Sequence, residues 1–213
     1  MNQHLDFLLS SLYGDHHPGH LADLRKSGLT DETTRRQKIR SVPPHMIDLL
    51  LGFEAKKVKH AYLLPFADPR GGWLDHVRMK IFPPITTERG TIKYLQPRWS
   101  GVRIFFPVAT LEAALRSDAP LFLAEGEKKA LALAQLGLPA IGMCGVEGWH
   151  RAGARELHPD LDGVDLRGRE VDVLPDGDWR ANPAVNRAVQ NLAAALERRG
   201  ARPEIVNLAE VAA

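Results

Sequence analysis

Hydrophobic spacing divides the chain into a helical front, a strand-rich middle and an alternating α/β back. At the front, residues 5–12 make a short apolar helix, 21–26 a helical turn, and Thr30-Asp31-Glu32 opens a further helix with cap chemistry. That helix ends on Arg35, Arg36, Lys38 and Arg40, Pro43-Pro44 stops it, and residues 45–52 form one more short helix. From residue 61 the period becomes two. Residues 61–66 run apolar into Asp68-Pro69-Arg70-Gly71-Gly72 and residues 73–82 return, which predicts a hairpin. On the return strand Arg78 and Lys80 share one face while Val77, Met79 and Ile81 take the other. That pattern predicts a sheet packed on one side and facing phosphates on the other. After a Pro-rich loop come two short strands, 91–95 and 102–106, with Lys93 on the first and Arg98 and Trp99 between them. Stacking on a base is open to Trp99, although packing is the commoner fate of such a residue.

The back half has the strongest pattern. Residues 121–124 read as a buried strand ending on an acid, Glu125, and Gly126 breaks it. Residues 127–136 repeat apolar positions at helical spacing, Gly137 closes that helix, and 139–143 make a second apolar strand. The unit is βαβ, and its crossover implies a parallel sheet. A third strand, 171–174, also runs into acids, Asp176-Gly177-Asp178, and a long amphipathic helix at 184–199 precedes a last strand at 203–206. Ligands of open α/β sheets sit beyond the carboxyl ends of the strands, which is where Glu125, Asp176 and Asp178 fall. Three carboxylates there repel one another unless a cation neutralises them, and hard oxygen ligands suit Mg²⁺ or Mn²⁺. Lys128 and Lys129 open the helix after Glu125, where one can hold a phosphate. Glu127 stands in the same turn, either assisting at the metal or simply favourable to the helix dipole. Gly145 and Gly148 would let the following loop approach a phosphate backbone.

Composition narrows the class. The chain has 213 residues, 44% hydrophobic and 25% charged, ordinary for a soluble globular protein. One cysteine, Cys144, rules out an internal disulfide or a Cys-based zinc site. No apolar run approaches about 18 residues and no signal peptide is visible, so a cytoplasmic protein without a membrane span is expected. Charge is uneven: residues 1–110 hold 16 basic and 10 acidic side chains, and residues 111–213 hold 12 and 16. A basic front joined to an acidic back suits a protein that presents a polyanion to metal-binding carboxylates. Near the start, His16, His17 and His20 with Asp15 are transition-metal ligand types, but Pro18 and Gly19 argue for an irregular connector with solvated side chains.

Glu125-Gly126 followed by Asp176-Gly177-Asp178, in this order and strand context, resembles the Toprim domain of bacterial primases, topoisomerases and related nucleases. The front half is similar to the basic subdomain that precedes Toprim in bacterial primases, through Leu64-Pro65-Phe66, Asp68-Pro69-Arg70-Gly71, Arg78 and Lys93-Tyr94-Leu95. The chain also resembles a primase-like family of phages, plasmids and integrated elements, through residues 125–129, 145–149 and 176–178. The resemblance implies an α/β fold: a leader and connector at 1–20, a basic α+β subdomain at 21–110 and a Toprim domain at 111–213. It implies that Arg78, Lys80, Lys93, Arg98, Lys128 and Lys129 contact nucleic acid or phosphate. Glu125, Asp176 and Asp178 would hold the metal and serve catalysis, with Gly126, Gly145 and Gly148 shaping the loops.

Departures from the primase pattern are specific. Gln96-Pro97 stand where primases continue with Asn-Ser, no zinc ribbon can be built, and an acidic motif after the last strand is missing unless Glu210 replaces it. A helicase-binding segment is not expected among these residues either. The expected activity is a Mg²⁺-dependent primase-like nucleotidyltransferase on single-stranded DNA of a mobile element. Nucleoside triphosphates would be its substrates and a replicative helicase its candidate partner. A Toprim nuclease or nickase is the second expectation, and a non-catalytic DNA-binding replication adaptor the third. Tyr13, Tyr62 and Tyr94 are the only tyrosines, and none sits in a strand-cleaving context of the topoisomerase kind.

Overall fold

Chain punctuation fixes most element ends. A computed structural model describes residues 16–88, 90–98, 100–177 and 179–207. The expected helix at 5–12, Asp15, Trp99, Asp178 and Glu210 lie outside the described residues. The chain divides into two compact units, Met1–Gly101 and Val102–Ala213.

In the first unit, α1 (Pro18–Lys26) starts with Pro18 in its first turn and His17 as N-cap, its Nδ1 accepting the Gly19 N–H. The expectation of an irregular connector here is corrected: proline suits the first helical turn, where no partner awaits its missing N–H. Thr30 caps α2 (Asp31–Arg36) by accepting the Thr33 N–H. A short strand, β1 (Arg40–Val42), follows, and Pro44 opens α3 (Pro44–Leu51), which ends at the left-handed Gly52. The sheet then continues with β2 (His60–Ala67), β3 (Trp73–Thr87) and β4 (Gly90–Leu95), antiparallel in the order β1-β2-β3-β4. The Pro-rich loop expected after residue 82 is instead part of β3. Pro83 and Pro84 fall where the β3–β4 register shifts between Lys80 and Ile85, so no ladder donor is lost.

Around β2 the sheet of this unit is buried on both faces, whereas β4 and the end of β3 are largely exposed. Lys80 pairs across the strands with Tyr62 and with Tyr94, placing all three on one face. Tyr62, Leu64 and Phe66 of β2 are fully buried. Helix α1 reaches that face, where the Tyr62 hydroxyl donates to Asp23 at 2.7 Å. On the opposite face Leu63, Met79 and Ile81 are equally buried.

In the second unit, α4 (Leu111–Arg116) leads to β5 (Leu121–Glu125), α5 (Glu127–Gln135) and β6 (Ala140–Met143). A single 3-10 turn (Pro159–Leu161), β7 (Glu170–Leu174), α6 (Pro183–Arg198) and β8 (Arg202–Ile205) complete it. The strands are all parallel, in the order β6-β5-β7-β8. Leu121, Leu123, Ile141, Val171 and Val173 fill the sheet, and Val189, Leu192 and Leu196 of α6 recur at helical spacing in the core. Asn182 caps α6, its Oδ1 accepting from Ala184 and Val185.

Segment 102–110 packs with this unit rather than the first. The strand expected at 102–106 is one antiparallel bridge, Phe105 to Gly142, closed by two backbone hydrogen bonds of 2.9 and 2.8 Å. Buried Arg169 reaches the carbonyls of Ala113, Ala114 and Ala119, satisfying the C-terminal end of α4. Among the described residues no helix is long and apolar enough to cross a membrane.

Candidate acidic site

Strand β5 lies beside β7, and the connection from β5 leads to β6 on one side while that from β7 leads to β8 on the other. A crevice at such a switch point is the usual ligand site of a parallel sheet. Glu125 ends β5, and the Gly126 N–H donates to Met143 O at 2.9 Å while Gly126 turns the chain into α5 at φ 107°. Only glycine adopts that backbone cheaply, so the acid and the helix start are fixed to one another. On the adjacent strand, Leu174 is paired with Ala124, and Pro175 then carries the chain to Asp176.

The two acids are brought together directly. The Asp176 backbone N–H donates to Glu125 Oε2 at 3.0 Å. Asp176 also opens a turn, with Trp179 N–H bonded to its carbonyl at 3.1 Å and the Trp179 ring buried. Asp178, the next acid in the sequence, lies outside the described residues.

Lys129 Nζ donates to Asp176 Oδ1 in a short ion pair. Both side chains are substantially exposed, 36% and 59%, so solvent screening limits this pair to under about 1 kcal/mol. Lys129 therefore balances the acid edge, a partnership that the sequence reading did not foresee. Lys128 is half-buried beside it. Glu127 is buried and turned toward the loop after β6, where the Cys144 thiol lies 3.2 Å from its Oε1. Within that loop, the Cβ position of Gly148 is filled by the loop's own backbone, 2.7 Å from Cys144 N and 2.9 Å from Gly145 O. The close approach that requires glycine is thus internal, and Trp149 is buried beneath it.

The basic residues of the first unit occupy several environments. Arg78 and Lys80 both lie over the Tyr94 ring, at 4.7 and 4.8 Å. The Lys80 side chain is only 14% exposed and stands 3.8 Å from Asp23. Lys93 is exposed on β4, and Arg98 is exposed over Phe53 at 5.3 Å. Sequence reasoning missed the bidentate Arg103–Asp160 pair, 2.8 Å in both contacts, because residues 57 apart leave no local signal.

A hard divalent cation fits the acid edge by chemistry. Glu125 and Asp176 bring carboxylate oxygens together at one sheet edge, the hard donors that such a cation takes.

Comparisons with known proteins place this architecture. A family model described as Domain of unknown function (DUF3854) matches residues 112–212. No curated protein matches the chain. Among solved structures, a DnaG primase catalytic domain bound to single-stranded DNA superposes with TM-score 0.64 at 17% identity, over 97% of this chain and 70% of that one. A DnaG catalytic core gives 0.61 at 19% identity, over 96% and 71%. The Aquifex aeolicus primase, with its zinc-binding and RNA polymerase domains, gives 0.61 at 14% identity, over 90% of this chain and 50% of that structure. The class is therefore a primase-like fold: a parallel four-stranded sheet flanked by helices plus an antiparallel sheet. The chain spans half the length of the Aquifex structure and about 70% of the other two.

Proposed function

We propose that the chain is a Toprim-type, Mg²⁺- or Mn²⁺-dependent nucleotidyltransferase that joins nucleoside triphosphates on single-stranded DNA, as a primase does. The observation that carries this reading is the Glu125–Asp176 contact at the switch point of a parallel sheet in a primase-like fold. When bound, the cation would supply charge neutralisation at the phosphoryl group and its leaving oxygen. Glu125 and Asp176 would hold it, with Asp178 as a further ligand. Glu125 also fixes the Asp176 backbone through the amide, so its loss would disturb both acids at once. Lys129 would leave Asp176 for an incoming phosphate, keeping a positive charge at the edge throughout. Lys93, Arg98 and Arg78 would bind the DNA backbone. Replication of a mobile element, with a helicase as partner, belongs to the same reading.

The test is one gel assay with labelled single-stranded DNA and separately labelled nucleotides, in Mg²⁺ or Mn²⁺. Wild type should extend oligonucleotides, and Glu125→Gln and Asp176→Asn should each lower product by at least about a hundredfold with an unchanged circular dichroism spectrum. Full activity in both variants removes this site from the chemistry. Shortened DNA would mean a nuclease or nickase on the same carboxylates. A second reading, a binding-only replication adaptor, is favoured by one observation: Lys129 already neutralises Asp176. It requires bound DNA, no product with either metal, and binding indifferent to chelation.

A further inference from the structure

We propose that His17, His20 and His60 form a site for one divalent transition-metal ion of the zinc class, apart from the acid edge. His17 caps α1, His20 lies in its first turns, and His60 opens β2. Packing of α1 on the sheet draws the three rings together, so that one ring nitrogen from each lies within 4.8 Å of the others. His20 is buried, His60 half-buried and His17 exposed, which gives the cluster an anchored floor and an open side. Asp15, from the same histidine-rich run, lies outside the described residues.

Hydrogen bonding aims the central ligand. The His20 Nδ1 is 2.8 Å from Ser41 Oγ, and Ser41 Oγ also accepts the His17 backbone N–H at 2.9 Å. With Nδ1–H donating to that hydroxyl, the His20 Nε2 presents its lone pair toward His60. This is the outer-shell arrangement that fixes the tautomer of a metal-bound imidazole. Nε2 of His20 meets Nδ1 of His60 at 2.7 Å, an N–H···N bond in which one proton sits where a cation would. Tetrahedral zinc, with bonds of about 2.0–2.1 Å, places its ligand nitrogens about 3.3 Å apart. The pair therefore has to open by roughly 0.6 Å.

His17 stacks on His60 with centroids 4.4 Å apart, and because its Nδ1 accepts the Gly19 N–H, its Nε2 is the nitrogen left to the ion. Phe82 stacks against both His20 and His60 at 5.1 Å and walls the apolar side. Packing needs flat rings there, which phenylalanine supplies; it does not need three converging nitrogens. Imidazole selects zinc, cobalt, nickel or copper over Mg²⁺. Three protein ligands leave a fourth position for water, and the bound ion would tie the start of α1 to the start of β2.

The experiment uses the full chain without a histidine tag, stripped by a chelator and then dialysed against Zn²⁺ or Co²⁺. The expected result is one metal per chain, a visible absorption band for Co²⁺, and a higher Tm with Zn²⁺ but not with Mg²⁺. His17→Ala, an exposed change, and His60→Ala should each weaken Zn²⁺ binding by at least about tenfold, the loss that even outer-shell partners cause. Asp176→Asn should leave it unchanged. Failure of wild type to retain zinc overturns the proposal. So does zinc binding that survives in both histidine variants or disappears in Asp176→Asn.

Discussion

Asp160 shows how a single half-buried charge is held. Its carboxylate accepts two bonds from the Arg103 guanidinium and one from Ile104 N–H, and His158 Nδ1 lies 3.3 Å away. Burial opposes ionisation, but the His158, Arg103 and Ile104 contacts outweigh it and hold the carboxyl well below the usual range. A depressed native pKa contributes stability that is full above the unfolded value of about 3.9 and is lost as pH falls below it. Asp160→Asn should therefore cost about 2–4 kcal/mol at pH 7, because Arg103 is left without its counter-charge. Urea midpoints should show the gap between variant and wild type narrowing by about 1 kcal/mol at pH 3. A gap that stays constant across this range would mean the pair contributes packing rather than charge. At this scale the sequence was legible only where chemistry is local: Glu125 follows directly from its strand end. The partners of Asp160, His60 and Lys129 come from residues 57, 40 and 47 positions away and have no periodic signature.

At the scale of elements, regular patterns translated well and short or mixed ones did not. The strand–helix–strand from Leu121 to Met143 stands as its apolar spacing required, since each element buries a face that a neighbour covers. Strand β1 escaped notice because Arg40–Val42 has no alternation to read, and its place is set by pairing with β2. Residues 104–106 are buried and apolar, yet they make a single bridge rather than a strand, because burial and pairing are separate demands. The loop after β6 supplies a test of close packing. A methyl group at Gly148 would meet backbone on two sides, and backbone cannot rotate away. Gly148→Ala should lower stability by about 1–3 kcal/mol and alter the near-ultraviolet dichroism of buried Trp149. Wild-type stability in that variant would mean the loop has room to open.

Over the whole chain, basic residues exceed acidic ones by 16 to 10 in the first 110 positions, and the balance reverses to 12 against 16 afterwards. If the proposed DNA contacts are right, log K for single-stranded DNA should fall linearly with log salt. Lys93→Ala and Arg98→Ala should each reduce the slope by about 0.7, one released counterion's share. Lys80→Ala should act differently, lowering stability through its half-buried partner Asp23. Equal slopes in wild type and the Lys93 and Arg98 variants would place the nucleic acid elsewhere.

Glu125 and Asp176 are far apart in sequence but adjacent in the sheet, because β5 pairs directly with β7. The stretch between Met143 and Glu170 is consequently a detour whose contour length does not enter the spacing of the acids. Lengthening a loop costs only the logarithm of its size, about 0.6 kcal/mol per doubling. The acid pair is therefore insulated from insertions there. A lineage could splice new recognition modules between those strands, and diversify what the protein grips, without re-tuning the edge on which the acids stand.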